Sequence, residues 1–172
     1  MKKSGFALVE LLAILMIIVI LAAISWPMYH KAVLKSRYHA LSLVARPLAD
    51  AQEVFLFANG EYTQDRSLLD VAWNEENVDN GILVSISDKM YHKFVLTTRP
   101  DIHNNFIIYQ QYSPNFPGEI HCEAEIDNDD ANWLCEEELN GTLLPGSLTE
   151  GYNEYVVEGT GNGTPFTTSA VP

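Results

Sequence analysis

The sequence predicts an α+β protein. A long N-terminal α-helix, hydrophobic in its first half and amphipathic in its second, packs on a small antiparallel β-sheet. Three observations predict this. Residues 6–29, FALVELLAILMIIVILAAISWPMY, are apolar almost throughout. From Val33 onward, apolar residues recur at three- and four-residue spacing. Between residues 82 and 112, three short runs rich in β-branched and aromatic residues follow one another with brief links, the pattern of a meander.

The apolar stretch comes first. It holds 24 residues and one formal charge, Glu10. As a helix it is ~36 Å long, enough to cross a bilayer core. A carboxylate inside such a span costs about 2.5–3.5 kcal/mol on insertion scales, so Glu10 needs a partner. Trp26 and Tyr29, at the far end of the span, suit a membrane–water interface. Ahead of the span, residues 1–5 read MKKSG. An ordinary secretory signal places its small-residue cleavage site after the apolar core. Here the small residue, Gly5, precedes it, so a cut there would leave the apolar helix on the mature chain. Lys2 and Lys3 hold that end in the cytoplasm until the cut.

Composition sets further bounds. With 172 residues, the chain has room for an anchor and one domain of about 100–140 residues. The formal charge of −13, from 10 Lys+Arg against 23 Asp+Glu, argues against nucleic acid or anionic lipid as the main partner of the soluble part. The two cysteines, Cys122 and Cys135, are an even pair in a chain carrying an export signal and read as one disulfide. Closing a loop of that size is worth about 3 kcal/mol in the chain-entropy model. The alternative is two unrelated buried thiols.

Gly5-Phe6, then Glu10, then an unbroken apolar helix resembles the leader and anchor of the type IV pilins and pseudopilins. Ala22-Ala23-Ile24, Pro27, Tyr29, Lys31-Ala32 and Lys35-Ser36-Arg37 extend the likeness, which is close over residues 1–65 and loose beyond. The resemblance implies a prepilin peptidase cutting between Gly5 and Phe6, and N-methylation of Phe6. It implies a helical homopolymer assembled through the N-terminal helices, with Glu10 meeting the N-terminal amine of a neighbouring subunit and Pro27 matching a proline common in the family. Such an amine offsets the burial cost of the carboxylate. Trp26 and Tyr29 would then pack between subunits after leaving the membrane. The implied location is the bacterial inner membrane before assembly and an extracellular pilus afterwards, with inner-membrane assembly machinery as a partner. The fold implied is the pilin ladle, with a leader at 1–5, a membrane or filament-core helix at 6–30 and a head at 31–172.

Within the head, Leu34, Tyr38, Leu41, Ala45, Leu48, Gln52 and Phe55 form the apolar stripe of an amphipathic helix over 31–59. Pro27 and Pro47 should each kink or loosen the helix, and a break near Arg46 is one outcome. Asn59-Gly60 ends it, Gly60 being able to take the left-handed cap conformation. Residues 60–80 connect, with a short helical turn in 65–69. Strands are expected at 82–87, 93–98 and 105–112, with a fourth or edge segment at 118–124 and a further strand at 155–157. Asp88-Lys89 and residues 99–104 are the expected turns, and the sheet occupies 81–125. Residues 127–130 (DNDD) read as an acidic loop. The Cys122–Cys135 pair resembles the disulfide that bounds the C-terminal region of pilin heads, here 122–172.

Chemistry finds no foothold in the sequence. The five histidines are scattered, and no nucleophile elbow, zinc pair or phosphate loop is present. His121 beside Cys122 reads as a surface histidine next to a disulfide. Asp127, Asp129 and Glu138 fall at calcium-loop positions 1, 3 and 12, but Ala131 and Asn132 occupy positions 5 and 6, so a solvated loop is the expectation. Asn140 and Asn162 head glycosylation triplets. The expectation is a structural subunit rather than an enzyme, without cofactor or bound metal. It would serve a filament used for adhesion, motility or DNA uptake. One alternative is a type II secretion pseudopilin. Another, of a different class, is a membrane-anchored acidic binding module.

Overall fold

The structure is a computed structural model that describes residues 4–71, 81–89 and 92–163. The chain divides into two compact units, Met1–Lys35 and Ser36–Pro172. Helix α1, Ser4–Asn59, is a single element. In the first unit every described side chain from Leu8 to His30 is exposed, and the helix is long and apolar enough to cross a membrane.

The expected break near Arg46 does not occur. Pro47 removes the N–H that would reach the Leu43 carbonyl. Leu43 and Pro47 lie on the exposed side of the helix, and solvent-side carbonyls can turn to water. Val44, Ala45, Leu48 and Ala49 are buried on the other side, so packing holds the backbone on both sides of the proline. The helix ends as its sequence requires. Gly60, at φ +82°, donates its N–H to the Leu56 carbonyl at 2.7 Å.

In the second unit, six antiparallel strands form one sheet. They are β1 (Leu83–Lys89), β2 (His92–Arg99), β3 (Asn104–Tyr109), β4 (Ile120–Glu125), β5 (Thr142–Leu143) and β6 (Tyr152–Glu158), in the order β1-β2-β3-β4-β6-β5. All five expected strands are present with shifted ends. Asp88 and Lys89 do not turn; they lie in β1, opposite Lys93 and His92. Residues 90–91, between the two strands, lie outside the described residues, as do 72–80 of the connecting region. β3 stops at Tyr109 because the Gln110 carbonyl accepts N–H bonds from Ser113 and Gly118, which closes a turn. The short turn in the connecting region is a 3-10 turn, Arg66–Leu68, capped by the Asp65 side chain.

The acidic stretch is a helix start rather than a loop. Asn128 caps α2 (Asp129–Trp133) by accepting the Ala131 N–H at 2.9 Å, and Asp129 and Asp130 occupy its first turn. There the free amides and the helix dipole favour negative charge. A π-helical turn, Leu134–Glu138, carries the chain on.

Each face of the sheet has its own core. On one face Tyr38, Leu41, Ala45 and Leu48 of α1 are buried with Val95, Phe106, Cys122 and Ala124 of the sheet. The Tyr38 and Phe106 rings meet at 5.7 Å, and the Thr97 hydroxyl donates to the Leu41 carbonyl at 3.3 Å. On the other face Ile107, Tyr109 and Phe116 form a cluster, with Phe94, Leu96, Leu144 and Leu148 packed against it.

Candidate functional site

The residues singled out in the sequence lie in two places. Gly5 and Phe6 are in the first turn of α1, and the Phe6 side chain lies outside what the structure describes. Glu10 follows one turn later and is exposed among exposed Leu8, Val9, Leu11 and Leu12. Pro27 lies farther along the same helix, and Trp26 and Tyr29 flank His30 at ring distances of 5.2 and 6.3 Å. Sixteen large apolar side chains between Leu8 and Tyr29 are at least half exposed. At about 1.5–3 kcal/mol for each side chain fully buried, removing this surface from water would release tens of kcal/mol. The first unit is therefore a helix built to be covered.

Cys122 and Cys135 are joined, with an S–S distance of 2.02 Å, and both are fully buried. The bond ties β4 to the π-helical turn. Asn104 surrounds it: its Nδ2 donates to the Glu123 carbonyl at 3.2 Å and the Ala131 carbonyl at 3.1 Å, and lies 3.4 Å from the Cys135 Sγ.

The second face of the sheet holds a group that the sequence did not reveal. Register places Asn105 of β3 opposite Glu123 of β4, Glu123 opposite Glu154 of β6, and Ile107 opposite His121. All these side chains are buried, and Glu119, just ahead of β4, is 6 % exposed. His121 is thus not a surface residue. Its Nε2 is 3.1 Å from Glu119 Oε2 and its Nδ1 is 2.5 Å from Glu154 Oε1. Tyr109 donates its hydroxyl to Glu154 Oε1 at 3.0 Å, and the Phe116 ring lies 4.6 Å from the imidazole.

Each carboxylate also fastens a distant segment. Glu154 accepts the Leu148 N–H. Glu123 accepts the Thr149 N–H and hydroxyl, both at 2.7 Å, and the Asn105 Nδ2 at 2.8 Å. Glu119 accepts the N–H and hydroxyl of Thr160 and the N–H of Gly161.

Electrostatics separates these carboxyls. Burial pushes Glu123 up, the nearby Glu154 adds to this, and the bonds from Asn105 and Thr149 offset it only in part. For Glu119 burial is also the largest single influence and acts upward. The bonds from Thr160, His121 and Gly161 together outweigh it and hold the carboxyl below its ordinary range. Burial, followed by the charge of Glu154, pushes the Tyr109 hydroxyl well above the usual phenol range.

The alternation His121-Cys122-Glu123-Ala124 reads in sequence as polar-out and apolar-in. The signal that corrects it is elsewhere: Phe116, Leu144 and Leu148 sit in turn-rich segments and need a surface to cover. The arrangement fastens loops. Among the described residues, no group of three His, Cys, Asp or Glu side chains is placed to hold a metal ion. Asp127 lies in the turn ahead of α2, Asp129 in the first turn of α2 and Glu138 at the end of the π-helical turn, so the three do not ring one loop. No family model, curated protein or solved structure matches the chain.

Proposed function

We propose that the chain is a type IV pilin-like structural subunit and not an enzyme. It would be cut between Gly5 and Phe6 by a prepilin peptidase, N-methylated on Phe6 and polymerised through α1. One observation carries the reading. A single carboxylate, Glu10, interrupts an otherwise uncharged run of 24 residues, at the fifth position after the Gly5-Phe6 junction. An anchor alone gains nothing from that charge. A stack of parallel helices, each offering an N-terminal amine to the next subunit's Glu10, gives it a partner and an axial register. The exposed apolar surface of α1 supplies the cohesion. Before assembly the same surface would lie in the inner membrane, and afterwards inside an extracellular filament. Removing Lys2 and Lys3 would take the side-chain charge from −13 to −15.

The test is intact mass with N-terminal sequencing of the protein from its own membrane and from a sheared surface fraction. The expected result is a start at N-methylated Phe6 and a mass two hydrogens below that of the dithiol. A start at Met1, or a cut beyond the apolar run, would remove the filament reading. A processed chain found only in the cell envelope would point to a secretion pseudopilus.

A further inference from the structure

The row Glu119–His121–Glu154 sets one imidazole between two carboxyls. Both ring nitrogens of His121 face carboxyl oxygens, Nε2 at 3.1 Å and Nδ1 at 2.5 Å. A neutral imidazole has one N–H and can serve only one of them. A hydrogen bond in each N···O contact therefore takes two protons along the row. Glu119 is also full as an acceptor. Its Oε1 takes the Thr160 N–H and hydroxyl, both at 3.0 Å, and its Oε2 takes the Gly161 N–H at 3.1 Å and His121. Four donors occupy its four lone-pair sites.

We propose that Glu119, backed by His121 and Glu154, is a two-sided pH latch that fastens the segment Gly159–Gly163 to the sheet. On the acid side, the proton that reaches Glu119 meets an oxygen whose lone pairs are already taken, and it displaces the Thr160 or Gly161 N–H. On the alkaline side, loss of one proton sets a carboxylate against a bare ring nitrogen in a buried site. Glu119 is the least buried of the three glutamates, so it turns to water and the segment leaves with it.

The groups facing the row come from every surrounding element. They are the Tyr109 hydroxyl of β3, Glu123 of β4, the Leu148 N–H and Thr149 from the loop before β6, Glu158 at the end of β6, which lines one pocket with Glu119, and Thr160 with Gly161 from the segment itself. None of these partners is a lysine or arginine, so the protons alone balance the carboxylates. The segment also covers the second core. A side chain built at Gly163 would run into the Phe116 ring, and Phe116 is buried against Tyr109 and His121.

The experiment is amide hydrogen exchange on the full chain in detergent micelles from about pH 3 to 9.5, referenced at each pH to the unstructured rate. Protection at Thr160 and Gly161 should be bell-shaped, falling at least about tenfold at each end, while Ile107 and Cys122 stay protected. Glu119→Gln should leave the segment weakly protected throughout. His121→Gln should remove the alkaline arm and keep the acid arm. A flat wild-type profile overturns the latch, as does loss in step with Ile107 and Cys122, or an alkaline arm that survives His121→Gln. The wild-type profile decides even if a variant does not fold. The outcome is independent of whether the chain forms filaments.

Discussion

Gln52 grips Thr63 from both sides: its Nε2 donates to the Thr63 carbonyl at 2.5 Å, and its Oε1 accepts the Thr63 N–H at 3.1 Å. Gln52 is fully buried on the apolar stripe of α1. One side chain thus satisfies the backbone of the first segment after the helix and folds that segment back onto it. Gln52→Leu keeps the volume but strands a buried N–H and a buried carbonyl. At about 1–3 kcal/mol for each unsatisfied group, the variant should lose about 2–6 kcal/mol. Urea unfolding of the full chain in micelles, followed by tyrosine and tryptophan fluorescence, would show this as a lower midpoint at constant slope. A loss under 0.5 kcal/mol would mean that the segment repacks.

The Cys122–Cys135 bond should resist reductant as long as the sheet is closed. Both sulfurs are fully buried, with Asn104 against them. Thiol labelling in the presence of dithiothreitol should therefore proceed at the rate at which the sheet opens, and should plateau as reductant is raised. A rate that keeps rising in proportion to reductant would mean direct access. Replacing both cysteines by alanine should lower stability by about 2–4 kcal/mol.

Glu119 and Glu123 should act on stability with opposite signs. The Glu119 carboxyl is lower in the folded state than the unfolded value of about 4.3. The unfolded chain therefore holds more protons between the two values, and stability rises with pH across that window. Its contribution is complete above the unfolded value and is lost as pH falls through the folded one. The Glu123 carboxyl is raised. The folded chain then holds more protons, and stability falls as pH rises from the unfolded value through the folded one. Glu119→Gln should thus cost about 2 kcal/mol at pH 7 and progressively less toward pH 3. Glu123→Gln, a mimic of the protonated carboxyl, should look better relative to wild type as pH rises. Urea midpoints at several pH values would separate the two, and parallel curves would contradict the assignment.

Glu10→Ala should insert and be processed normally yet yield few filaments, because the register-setting charge is gone while the apolar surface remains. Shearing and quantifying filaments against total processed subunit would check this. Normal yield from the variant would sink the register idea.

Gly60→Ala tests the helix end. Nothing lies within 4 Å of an added Cβ, so the cost comes from φ +82° alone. It should be about 1 kcal/mol, and smaller for Gly60→Asn.

The sequence carried the helix, its end at Gly60 and the three-strand meander with its fourth or edge segment, because each rests on local periodicity or on a single residue's conformational range, and it carried the disulfide through an even cysteine pair. Asn128, Asp129 and Asp130 were misread because acids serve a helix start and a loop equally well. β5, two residues long, has no period to detect. Glu119, His121, Glu123 and Glu154 were hidden for a different reason. They sit on what reads as the wet side of their strands, and turn-rich segments outside those strands, one of them 41 residues from Glu119, make it dry. Long-range cover leaves no mark on the strand that it covers.

The strand order has a consequence for the timing of folding. β6, the last strand among the described residues, lies between β4 and β5. A polypeptide delivered N-terminus first can zip β1 to β4 as it emerges, but the central pairing of β4 waits for Tyr152–Glu158. Until then one flank of β4 is an open edge, and the polar side chains of Glu119, His121 and Glu123 lack the cover of β6 and oppose edge-to-edge pairing. The residues hardest to bury are thereby the guardians of the unfinished sheet.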